Sequence, residues 1–171
     1  MLNILAKLLS ILNSETAAWQ ISLAFCFAMI AGFTPLASMH NVLVLFLILL
    51  LRVNLSSFIF AFAIFSALSF MLDPLFHKLG HVILTSDSFQ EIWTSFYNNP
   101  FMRLTRFNNT IVMGSLVLAL LLFIPAFLLF NFLIKKYRDT VLSKIRNTRL
   151  MQALKATKFY RIYEKASYLR G

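Results

Sequence analysis

Charge is scarce along this chain, and acidic charge scarcer still: Asp and Glu number six in 171 residues, and charged residues of both signs make up 13%. A water-soluble domain carries about 25%, so too few polar side chains are present to cover a soluble surface. Glycine is equally sparse, with four residues and no cluster. That leaves no Gly-rich loop of the nucleotide-binding kind. Cys26 is the single cysteine and lies in an apolar stretch, which excludes an intrachain disulfide and suits a small packing residue. No nucleophile and base stand at a recognisable spacing. The residues therefore point away from an enzyme, and neither a catalytic residue nor a cofactor is expected.

What is present is grease and a basic end. Hydrophobic residues make up 60%, Phe alone numbers 19, and the mean hydropathy is +0.78. The expected class is all-α: a polytopic helical membrane protein with about four spans, broken or re-entrant helices and a basic C-terminal helix. Thr110 to Ile134 is a run of 25 uncharged residues, and about 20 suffice to cross a bilayer core. Lys135, Lys136 and Arg138 follow at once, and 135–171 holds 11 of the 16 Lys and Arg. With Asp139 and Glu164 subtracted, that segment carries +9 of the formal +10. Cations beside a span favour the cytoplasmic side.

Three units are expected along the chain. Residues 1–16 suit an amphipathic interfacial helix, and Lys7 interrupts the apolar run that a secretory signal would need. Residues 17–134 form the membrane domain, including an outside segment over 73–109, and 135–171 form a basic amphipathic tail. Within the membrane domain a first block, Ala17 to Phe33, breaks at Gly32-Phe33-Thr34-Pro35. The residue before Pro is disfavoured as helix, and Thr34 can cap a new helix with Pro35 at its first position. That helix is predicted over Pro35 to Leu51, ending at Arg52-Val53-Asn54. The third block, Ser56 to Leu72, stops at Asp73-Pro74, where the same start signal recurs. Pro74 to Leu84 is too short to cross and reads as re-entrant, interfacial or packed on other helices. Asn98-Asn99-Pro100 marks a turn, and Pro125 lies inside the fourth block. With the tail inside, four crossings leave Lys7 and Arg52 inside, and Lys78, Arg103 and Arg106 outside. The count supports four spans, with three spans plus a re-entrant hairpin as the alternative.

The two Pro starts are the candidate sites, because unpaired N–H groups and the helix dipole there suit an anion such as phosphate. Asp73 opposes an anion at the second unless Lys78 or Arg52 compensates. The plain alternative is that both are capped turns joining spans. Asp73, His77 and His81 share one helix face at i, i+4 and i+8. Two His and a carboxylate can hold zinc, but the segment is short and carries no Glu beside the pair, so no metal site is assigned. A water-facing polar face or a proton-linked role is the better reading. Arg52 stands alone between the first and third blocks and can hold a lipid phosphate or extend to headgroups. In the tail, apolar residues such as Ile145, Leu150 and Ile162 alternate with cations, which suits an anionic lipid surface or a protein partner. No nucleic-acid module is present.

The stretch Gly32 to Gly80 resembles the prokaryotic integral-membrane family of domain of unknown function 2062. The resemblance rests on Gly32-Phe33-Thr34-Pro35, His40, an apolar run to Arg52-Val53-Asn54, and Asp73-Pro74 closing at Leu79-Gly80. The family often has Gly where Ala37 or Ser38 stands and usually Asn-Pro where this chain has Asp73-Pro74. The nearer kin are a compact subgroup without an attached enzyme domain; other members are joined to glycosyltransferase domains. The resemblance implies a membrane fold, a bacterial source and envelope lipid or glycan biology, and supplies no reaction. The expectation is a bacterial inner-membrane, multi-pass protein with both termini cytoplasmic, transporting or handling envelope lipids or lipid-linked intermediates. Thr34, Pro35, His40, Asn41, Arg52, Asn54, Asp73, Pro74 and His77 are the expected substrate-binding residues, Asp73 and His77 serving proton coupling. The competing expectation is a non-transporting subunit that anchors or stabilises a larger envelope protein. Partners are membrane lipids, anionic headgroups among them, with an envelope protein or a second copy compatible and nucleic acid not expected.

Overall fold

A computed structural model describes residues 16–51 and 53–142. The predicted N-terminal amphipathic helix, Arg52 and the basic tail from 143 onward lie outside the described residues. Within them the fold is all-helical, with no strand.

Six α-helices follow in order: α1 Ala18–Phe33, α2 Met39–Leu50, α3 Leu55–Thr85, α4 Gln90–Asn98, α5 Pro100–Leu104 and α6 Thr110–Tyr137. The first and last apolar blocks lie where hydropathy places them. Asn109 caps α6, its Oδ1 accepting from the N–H groups of Ile111 and Val112 at 2.9 and 3.2 Å. Asn99 caps α5 in the same way, with Pro100 at the first position.

Two expected starts are not where the sequence puts them. The second helix begins at Met39, four residues after Pro35, so Pro35 lies in a turn. The Thr34 hydroxyl turns back to the Ile30 carbonyl at 2.8 Å instead of capping forward. The second difference is larger. No break exists at Asp73-Pro74: α3 runs through both as one helix of 31 residues, with Pro74 in its interior. The missing N–H of Pro74 leaves one carbonyl unpaired, and the residue is exposed. The predicted re-entrant segment 74–84 is therefore the continuation of the third block.

At 1.5 Å per residue α3 is about 46 Å long and α6 about 42 Å, against about 30 Å of bilayer hydrocarbon. These are the two helices long and apolar enough to cross a membrane. α1 and α2, with 16 and 12 residues, reach about 24 and 18 Å. Four full spans are thus not what the lengths deliver.

α1, α3 and α6 pack on one another, and α2 leans mainly on α1. α1 is buried on nearly every side, as its all-round apolar sequence requires. It runs against α6: Ala18 and Ile21 cluster with Ile134, and the Phe25–Phe130 and Phe27–Phe123 ring pairs lie 5.4 and 5.6 Å apart. It runs with α3: Asn54 Nδ2 donates to Thr16 Oγ1 at 3.0 Å at one end, and Phe33 meets Phe65 and Phe76 at the other. Close approach is set by small residues. A Cβ on Gly32 would fall 2.7 Å from Phe65 Cβ, and Cβ atoms on Gly80 and Gly114 would strike the backbones of Thr110 and Phe76. Buried hydroxyls return to their own helices, Ser22 to the Ala18 carbonyl and Ser115 to Val112.

Candidate functional site

The turn after α1 gathers three of the six buried polar residues among those described. Thr34, Ser38 and Asn41 are each at least 95% buried. Asn41 Nδ2 donates to the Pro35 and Leu36 carbonyls at 3.0 and 3.4 Å, and the Ser38 hydroxyl donates to Pro35 at 2.6 Å. Asn41 Oδ1 lies 3.2 Å from the Thr34 hydroxyl, whose one proton it shares with Ile30. These bonds close the turn on itself, so exposed Pro35 and Leu36 can leave the helix without stranding their carbonyls. His40 differs. Its Nε2 is buried and makes no hydrogen bond among the described residues, which leaves one polar atom free for an outside partner.

The turn's depth in the fold follows from its neighbours. Phe33 sits at the level of Phe65 and Phe76, whereas α3 begins at Leu55 and ends at Thr85. Thr34 to Asn41 therefore lies part-way along the two long helices, while Thr16 and Asn54 mark one end.

Asn54, predicted to bind headgroups, caps α3: its Oδ1 accepts from the Ser57 N–H at 2.8 Å and the Ser57 hydroxyl at 2.7 Å. With one N–H given to Thr16, a single amide hydrogen remains. Asp73 is half-buried and Pro74 exposed, both mid-helix on α3. Neither marks a helix start, so the anion site expected there has no free N–H groups to supply it. His77 Nδ1 pairs with Thr110 Oγ1 at 2.6 Å, and its ring stacks on His81 with centroids 6.2 Å apart. No set of three His, Cys, Asp or Glu among the described residues could hold a metal. Phe33 touching Phe76 brings the turn beside the His77 segment, but no hydrogen bond joins Thr34, Ser38 or Asn41 to Asp73 or His77.

Sequence reasoning missed two features. One is the Gly80–Gly114 crossing. Small residues were visible, but 34 positions separate the partners. The other is an aromatic cluster over α4 and the segment before α6. Trp93 Nε1 donates to the Ile83 carbonyl at 3.2 Å, and the Trp93 and Phe107 rings stack 6.1 Å apart. Phe89 and Trp93 are four apart on the chain, the spacing that could have revealed it.

Taken together, the fold and this turn define a small all-helical protein with two helices fit to cross a membrane and a polar turn between its short helices. It belongs to the bacterial family of domain of unknown function 2062, described as an uncharacterized protein conserved in bacteria, whose profile matches residues 4–141. The match extends beyond Gly32 to Gly80 in both directions. An uncharacterized protein of Treponema pallidum (strain Nichols) is similar to the chain, 24% identical over 150 residues that span 88% of this chain and 93% of that protein. No solved structure matches the chain.

Proposed function

We propose that this protein is a small inner-membrane protein that binds and moves envelope lipids or lipid-linked intermediates, with α3 and α6 crossing the bilayer and α1–α2 entering it as a hairpin. The supporting observation is the polar turn Thr34 to Asn41 set part-way along two spanning helices, with His40 Nε2 unpartnered. Irregular backbone at membrane depth is tolerated only where protein or water covers its polar groups. Here Thr34, Ser38 and Asn41 cover them, and His40 offers the remaining atom to a headgroup. Broken helices at depth are a device of transporters. The outward apolar side chains of α6, such as Leu121, Ile124 and Leu128, suit lipid.

In this reading the Thr16 and Asn54 end faces the cytoplasm with Arg52 and the tail, and Lys78, Arg103 and Arg106 face out, following the positive-inside rule. Asn41 is spent on the turn, so His40 meets headgroup atoms at depth, Arg52 and Asn54 meet them at the inner surface, and Asp73 and His77 carry protons near the outer end. No enzymatic step is assigned. The test is mass spectrometry of lipid retained after purification in mild detergent. A specific lipid enriched over bulk, and lost in His40→Ala at unchanged protein yield, is expected. Retained lipid matching bulk composition contradicts the proposal.

The subunit reading draws on a different observation: α2 leans mainly on α1 and turns Val42, Leu45, Phe46 and Leu49 outward. A stoichiometric protein recovered with the full chain, and lost on deleting 138–171, would favour it.

A further inference from the structure

A cavity of about 330 Å³ opens beside α4, lined by the aromatic residues Trp93, Tyr97 and Phe107, by Thr94, Asn98 and Asn108, and by Leu84. Its volume is at the lower end of the range for small-ligand sites, about 300–1,000 Å³. We propose that it binds a pyranose sugar. Two chemistries meet in its lining. The aromatic faces carry negative potential, which suits the C–H face of a sugar ring. Amides supply both donors and acceptors, which a ring of hydroxyls needs. The side-chain amides of Asn98 and Asn108 and the Tyr97 hydroxyl make no hydrogen bond among the described residues.

The platform is built rather than incidental. Trp93 is fixed by its indole N–H on the Ile83 carbonyl, and Phe107, itself buried, receives Trp93 on its face and Phe96 edge-on at 5.7 Å. A quaternary ammonium, the other ligand of aromatic cages, is disfavoured. The Arg103 guanidinium already sits 5.9 Å over the Tyr97 ring, and no carboxylate lines the cavity. The ligand chemistry is a neutral sugar ring, carried either free or on a glycolipid.

The inference rests on the proposed function only for what presents the sugar; the cavity is tested separately from lipid retention by the His40→Ala variant. Trp19 and Trp93 are the two tryptophans, so Trp19→Phe makes Trp93 the sole reporter. In phosphatidylglycerol–phosphatidylethanolamine nanodiscs, glucose and N-acetylglucosamine are titrated against Trp93 emission. A second arm uses nanodiscs containing monoglucosyl diacylglycerol. A saturable shift is expected, weakened about tenfold in Asn98→Ala/Asn108→Ala, the loss of roughly one good hydrogen bond, with the sugar-free emission unchanged. A response in both arms marks a site for free and lipid-borne sugar, and a response to the glycolipid alone marks the lipid as the source. No shift up to about 100 mM sugar, a range reaching beyond millimolar affinity, and none with glycolipid overturns the proposal. So does an undiminished response in the double variant, or a stronger response to choline.

Discussion

Gly80 of α3 lies directly on the backbone of Thr110 at the start of α6, so close that a Cβ there would strike the Thr110 carbonyl. Gly114 repeats the contact one turn on, against the carbonyl of Phe76. Between helices in lipid, packing rather than water exclusion supplies the attraction, and small residues let backbones approach. This crossing holds the C-terminal part of α3 to the N-terminal part of α6, and His77 pairs with Thr110 beside it.

Replacing Gly80 or Gly114 by Ala should therefore cost about 1–3 kcal/mol, the usual range for overpacking, because the obstacle is backbone and cannot swing aside. The double variant should cost less than the sum, since the first separation relieves the second. Thermal or denaturant unfolding in detergent reads both. A neutral Gly80→Ala would mean that the helices stand further apart.

Asn54 offers a different test. Its amide caps α3, receives the buried Ser57 hydroxyl and ties the helix to Thr16. Asn54→Ala should lower stability by about 1–2 kcal/mol through the cap. Thr16→Val should cost about 1 kcal/mol or less, and Asn54→Ser should recover part of the loss. Unfolding curves of the three variants in one detergent give the order. If Asn54→Ala unfolds like the parent, the residue is free for headgroups alone.

Pro74 distinguishes a continuous helix from a broken one. Spin labels at Leu68→Cys and Val82→Cys, in a Cys26→Ala background, should show one distance near 21 Å between backbones, from about 1.5 Å per residue. Pro74→Ala should keep that distance and raise stability by up to about 3 kcal/mol. A shorter or divided distribution would restore a break at Asp73-Pro74.

Block ends were legible where one signal dominated. The uncharged run placed the start of the last long helix at Thr110 and Asn98-Asn99-Pro100 marked a turn, whereas the Asn109 and Asn99 caps emerge only in the fold. The two Pro signals failed for a local and a tertiary reason. Thr34 bonds backward to Ile30, which leaves the next helix to begin after Ser38, and the same dipeptide pattern cannot say which way a hydroxyl turns. At Pro74 the helix continues because α3 is held on both sides of the proline, by Phe65 against Gly32 below and Gly80 against Thr110 above. Of the candidate site, sequence put Thr34 at the cap of a helix over Pro35 to Leu51 that carries His40 and Asn41, and the hydrogen-bonded turn appears only in the fold. Asn54 and His77 likewise gained partners, Thr16 and Thr110, that only the fold supplies.

The hairpin reading of α1–α2 is tested most directly at Leu36, exposed at the turn between them. In a Cys26→Ala background, Leu36→Cys, Ser88→Cys and Ser167→Cys are treated in intact cells with a maleimide that cannot enter membranes. The account predicts rapid labelling of Ser88→Cys, labelling of Ser167→Cys only after permeabilisation, and no labelling of Leu36→Cys, whose thiol lies in hydrocarbon. Labelling of Leu36→Cys from outside, as fast as Ser88→Cys, would show α1 emerging on the far side and contradict it.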